Sequence, residues 1–87
     1  MQAADAKIQE VADKVRPTLE KESGQVFQEY KAETFCSQVV AGLNYFIKVN
    51  VGGGKYVHLR VYQDLQQNVQ LAGYQLDKEK DSSLTYF

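Results

Sequence analysis

Residues 43–62 read LNYFIKVNVGGGKYVHLRVY, and the period of this stretch decides the architecture. Leu43, Tyr45, Ile47, Val49 and Val51 alternate with Asn44, Phe46, Lys48 and Asn50. After Gly52-Gly53-Gly54, Val57, Leu59 and Val61 alternate with Tyr56, His58, Arg60 and Tyr62. Successive side chains of a strand point to opposite faces, so a period of two marks a strand with one apolar face. Two such runs joined by glycines form an antiparallel hairpin. The same glycines make a poor phosphate cradle, because a strand and not a helix N-terminus follows them.

Working outward, residues 25–40, QVFQEYKAETFCSQVV, are rich in aromatic and β-branched residues and contain neither Gly nor Pro. They read as another strand. On the other side, Leu65-Gln66-Gln67-Asn68 is a loose polar connection without a Gly or Pro, and Val69–Leu76 makes a last short strand. Upstream, Ile8, Val11, Ala12, Val15 and Leu19 follow helical spacing. Asp5 stands where an N-cap belongs and Gly24 where a C-cap belongs. Pro17 interrupts the stripe, at a cost of about 3 kcal/mol inside a helix. Because Val15 and Leu19 continue the stripe across it, one kinked helix is expected rather than two pieces. The expected fold is α+β: one domain over residues 1–87, with a short arm at 1–4, a helix at 5–23 and a four-stranded antiparallel meander at 25–76. In the tail at 77–87, Leu84, Tyr86 and Phe87 are expected to return to the sheet.

Composition narrows the function classes. The chain has 87 residues, is 44% hydrophobic and carries a net charge of −1. That suits an ordinary globular fold and argues against nucleic acid or an anionic membrane as the main partner, since no basic surplus exists. No apolar run approaches a membrane span, and residues 1–20 lack a signal-peptide pattern, so a cytoplasmic location is expected. The one cysteine, Cys36, excludes an internal disulfide. No catalytic constellation, cofactor site or metal site emerges. The one histidine, His58, has no sequence relation to Cys36 that would make a nucleophile–base pair. It shares a strand face with Tyr56, Arg60 and Tyr62, expected to be half exposed. Asp77 and Glu79 lie in a charged tail, where solvated surface is the plain reading.

Gln38-Val39-Val40-Ala41-Gly42 is the stretch that local pattern leaves open. Alternation stops near Ser37 and restarts at Leu43, so a turn falls within or beside it. Valine is a poor turn residue, because β-branching makes positive φ costly. Either both valines pack as strand with only Ala41-Gly42 turning, or they are held out at a hairpin tip for a partner.

SQVVAG at 37–42, followed by NYFIKV, YVHLRV, GYQ and a final LTYF, resembles the stefins, the disulfide-free intracellular branch of the cystatins. The helical segment VADKVRPTLEKE, proline included, is similar as well. This resemblance implies a helix gripped by a curved antiparallel sheet. It also implies reversible, tight, competitive inhibition of papain-like cysteine proteases such as cathepsins. A wedge edge would fill the protease cleft without offering a peptide bond for attack. Carried over by residue, Gln38, Val39, Val40, Ala41 and Gly42 match the first hairpin. Leu65 and Gln66 stand at the second, where stefins show Leu-Pro. Ala3 and Ala4 stand in the N-terminal arm.

Two departures bear on strength. The arm before the helix is short and has no Gly before Gly24, and the second loop is shorter than in stefins. Weakened inhibition carried mostly by the first hairpin is therefore expected. The other reading is a non-inhibitory or engineered scaffold. Opening of the 38–42 hairpin would let two chains exchange the helix and first strands, so the state is a monomer or a domain-swapped dimer. If Cys36 is a bystander, Cys36→Ser leaves protease inhibition unchanged in a papain titration. A large loss of inhibition would give the thiol a role.

Overall fold

The alternating runs do form a hairpin, and the rest of the chain is arranged around it. The computed structural model describes residues 2–87; Met1, the first residue of the expected arm, lies outside the described residues. Elements run β1 (Gln2–Ala3), α1 (Ala6–Ser23), β2 (Lys31–Val40), β3 (Gly42–Gly52), β4 (Lys55–Gln63) and β5 (Val69–Lys78). The strands form one antiparallel sheet in the order β1-β2-β3-β4-β5. The sheet thus has five strands rather than four. The added one is the arm itself: Gln2 lies opposite Phe35, Ala3 opposite Thr34, and the Ala4 amide donates to the Glu33 carbonyl at 2.9 Å.

The helix is a single piece through Pro17. The Asp5 carboxylate accepts from the Ile8 amide at 3.0 Å, and Gly24 closes the other end in the left-handed conformation. Pro17 is exposed, as is Asp13, whose carbonyl loses its donor. That orphan therefore faces water rather than the core. The expected stripe of Ile8, Val11, Ala12, Val15 and Leu19 is buried against Tyr45, Ile47, Val49, Val57, Leu59 and Val61 of the central strands. Register shifts interrupt the β2–β3, β3–β4 and β4–β5 ladders. Such bulges bend and twist strands, which helps a sheet follow a helix.

Residues 25–30 depart from the expected strand, which starts only at Lys31. Helix side chains compete for this segment's backbone groups. The Phe27 amide donates to Glu20 Oε2 at 2.9 Å, and Arg16 donates to the Phe27 carbonyl. Gln9 reads both sides of the entry into β2, donating to the Tyr30 carbonyl at 3.1 Å and accepting from the Ala32 amide at 2.8 Å. The Tyr30 hydroxyl donates to the Ala12 carbonyl at 2.8 Å, and Arg16 lies 5.0 Å from the centre of its ring. Burial raises the Tyr30 pKa. The Phe27 amide, helped by Arg16, holds Glu20 below its usual range.

The middle of the face of β3 and β4 away from the helix is buried too, which corrects the half-exposed expectation for Tyr56 and His58, while Arg60 and Tyr62 are half-buried as expected. The tail runs across it. Phe46 packs against Tyr86 and Phe87, with ring centroids 4.8 and 5.6 Å away. Lys48 Nζ donates to the Lys80 and Ser82 carbonyls, and Arg60 donates to the Phe87 main-chain oxygen at 2.6 Å. Leu84 is buried, and His58 beneath this cover is 0% exposed, with no hydrogen bond to either ring nitrogen. Burial and unpaired ring nitrogens favour the neutral ring.

His58 is accordingly pushed down to about 4, by burial first and then by Lys48 and Lys78. Between the unfolded value near 6.5 and about 4, only the unfolded chain takes up this proton. Stability should therefore fall as pH drops through that window, by about 1–3 kcal/mol, and level off below it. Urea unfolding of the parent and His58→Leu at about pH 7 and about pH 4.5 checks this. The variant should lose this part of the pH slope, and a parental slope in the variant would contradict the account.

Candidate functional site

The ladder registers bring the first hairpin and the β4–β5 loop to the same end of the sheet. Val40 pairs with Gly42, and Leu43 is opposite both Val39 on β2 and Gln63 on β4. Gln63 in turn pairs with Val69 on β5. The two connections therefore stand side by side, with a notch of about 250 Å³ between them. Gly42, Leu43, Asp64, Leu65 and Gln67 line the notch, together with Lys7 from the first turn of α1.

The first hairpin unites both readings that local pattern left open. The backbone of Val39 and Val40 is strand, paired to Leu43 and Gly42, so Ala41 alone makes the turn. Their side chains nevertheless reach no core. Val39 is 82% exposed, Val40 is also exposed, and so is Gln38. Pairing of the backbone removes the need for positive φ at either valine; Gly42 takes it instead, at +112°. A Cβ there would also collide with the Gln63 carbonyl oxygen.

The 64–68 connection is not the loose link expected from its composition. Asp64 organises it. Its Oδ1 accepts from the Gln66 and Asn68 amides, both at 2.9 Å, and Asn68 Nδ2 donates to Oδ2 at 3.2 Å. The Asp64 amide donates to the Asn68 carbonyl at 3.0 Å, and the Gln67 amide to the Asp64 carbonyl at 2.9 Å. These donors, the Asn68 amide foremost, hold the Asp64 carboxyl below its ordinary range. A carboxylate that bonds amides just downstream does the work of a turn-forming glycine or proline. Leu65 sits on this braced loop, 81% exposed. The signal in the sequence is an Asp four residues before an Asn, not a Gly or Pro.

Val39, Val40 and Leu65 thus gather at one end as preformed apolar projections. Exposed apolar clusters of this kind mark contact surfaces. Ala3 and Ala4 are not part of the tip. Phe35, opposite Gln2, stands five strand positions before Val40, about 17 Å at strand rise. β1 runs so that its start points toward the hairpin end. Cys36 lies within β2, partly buried, and burial raises its thiol pKa. Among the described residues no cluster of His, Cys, Asp or Glu could hold a metal ion, and no helix is long and apolar enough to cross a membrane.

Comparison with known proteins places the chain in a family. Residues 1–83 match the model of the cystatin domain. The chain belongs to the cystatin family. Among its relatives, Cystatin-A of Mus musculus is 48% identical over 97% of this chain and 89% of its own length. Cystatin-B of Homo sapiens is 49% identical over 99% of this chain and 91% of its own. Leukocyte cysteine proteinase inhibitor 1 of Sus scrofa is 49% identical, over 97% and 84%. In this cystatin, Gly42 is the glycine with the least room for a side chain. Gly42→Ala should destabilise the protein by about 1–3 kcal/mol, from the positive φ and the collision with β4. Urea unfolding measures it, and parental stability would refute the steric argument.

Proposed function

We propose that this cystatin is a reversible, competitive inhibitor of papain-like cysteine proteases, cathepsins among them, and that it docks through the end of the sheet carrying Gln38–Gly42. The observation that carries this reading is the hairpin tip: two valines held out of the core on paired backbone, in a chain of this family. A protease cleft covers what the fold leaves bare. Full burial of a valine side chain is worth about 1.5–3 kcal/mol relative to exposure. Because the tip is already in strand pairing, little conformational entropy is lost on docking. Leu65 and Gln66 add a second contact from the Asp64-braced loop. Ala3 and Ala4, on and after β1, lie away from the tip, so the contact rests on the two connections.

Inhibition needs no chemistry from this chain. The inhibitor blocks the cleft while the backbone around Ala41 stays paired in its own ladder, so no peptide bond is offered to the protease thiolate in attacking position. Cys36, partly buried in β2, takes no part. A cytoplasmic location and action as a monomer belong to the same proposal.

Titration of papain with the parent and with Val40→Asp tests it. The parent should inhibit. The variant puts a charge where the cleft is apolar, so its inhibition constant should rise about 100-fold or more. Its unfolding curve should stay parental, since Val40 projects to solvent. No inhibition by the parent at high micromolar concentration would overturn the inhibitor reading. Equal inhibition by both would overturn the placement of the hairpin in the cleft.

A further inference from the structure

The turn between β2 and β3 is one residue long. Val40 and Gly42 are already paired, which leaves Ala41 between two strand ends. Outside the ladder, its carbonyl accepts a hydrogen bond from a distant residue, the Tyr62 hydroxyl on β4. Tyr62 reaches there across β3. It lies opposite Asn44, and Gly42 is two positions along the same face. A Cβ on Gly42 would lie 3.1 Å from the Tyr62 hydroxyl oxygen and 3.2 Å from Cε1. The ring therefore occupies the space that the missing side chain of Gly42 leaves.

We propose that Tyr62 is a positioning residue for inhibition: from β4 it lies over Gly42 and holds the Ala41 carbonyl, locking the hairpin tip in its docking shape. This rests on the reading that Gln38–Gly42 enters the protease cleft. Both valines before the turn are exposed and bring no core packing to the tip. Strand ends with few buried contacts open locally at much lower cost than the whole fold. A tip that opens must be reordered on binding and frays within the complex. Tyr62 supplies a tether from a strand whose inward side chains are in the core. The Gln63 carbonyl already excludes a Cβ at position 42, and the bare backbone there leaves room for the ring.

Tyr62→Phe removes the hydroxyl and keeps the ring. The loss of one hydrogen bond corresponds to dissociation from papain that is about threefold to tenfold faster. The association rate should change little, since related complexes differ mostly in dissociation. In the free variant, backbone order parameters from NMR relaxation should fall at residues 39–42 and stay parental in the central strands. Parental dissociation would overturn the proposal. Faster dissociation with an unchanged tip would also overturn it, because Tyr62 would then act by touching the protease directly. Val40→Asp, run alongside, separates the two levels. If Val40→Asp inhibits like the parent, the docking reading fails. If it does not, and Tyr62→Phe dissociates like the parent, only the role of Tyr62 fails.

Discussion

Burial of the helix stripe against β3 and β4 is the contact on which the remaining features depend. Ile8, Val11, Ala12, Val15 and Leu19 cannot be satisfied by a flat sheet alone, because a helix presents a rounded surface. The inward set of Tyr45, Ile47, Val49, Val57, Leu59 and Val61 meets it from two neighbouring strands. β2 and β5 complete the contact from either side. Bulges in three ladders help the strands follow the helix. The polar clamp of Gln9, Arg16 and Tyr30 then fixes how the chain leaves the helix and enters β2.

That arrangement has two consequences. The first is at the far face. With the helix on one side only, Phe46, Lys48 and His58 would face water, and the tail from Lys80 to Phe87 covers them instead. His58 is buried at the centre of this second layer, which is why its proton affinity falls. The second is at the sheet end. Strands long enough to cover the helix overshoot it, so Val39 and Val40 are in register as strand yet beyond any core. The same geometry that stabilises β2 and β3 leaves their ends as an apolar edge suited to a partner. Asp64 at one connection and Tyr62 at the other keep that edge in one shape.

Much of this was legible in the chain. The stripe from Ile8 to Leu19 is legible across Pro17, because the proline falls on the exposed side of an otherwise regular period. The hairpin of residues 43–62 was equally plain, as two period-two runs around glycines admit few other folds. The return of Leu84, Tyr86 and Phe87 followed from their apolar character after a charged run. Less legible were elements set by partners distant in sequence. Residues 25–30 have strand composition, yet Glu20, Arg16 and Gln9 take their backbone groups. Gln2 and Ala3 have no strand signal of their own; pairing with Phe35 and Thr34 makes them one. The order of the connection at 65–68 is hidden because its turn is made by the Asp64 side chain rather than by Gly or Pro.

By itself the amino-acid sequence determined the periods, and with them the helix, the central hairpin and their inward faces, because side-chain direction follows directly from backbone geometry. Its motifs also placed the Gln38–Gly42 stretch in a family. Which side chains ended up bare and which covered was decided only by tertiary structure. His58 and Val39 stand on strands of similar local pattern, and one is wholly buried while the other is 82% exposed. The difference lies in what crosses each strand: the tail over His58, and nothing over the hairpin tip. Exposure depends on neighbours brought from far along the chain, and no local period records them.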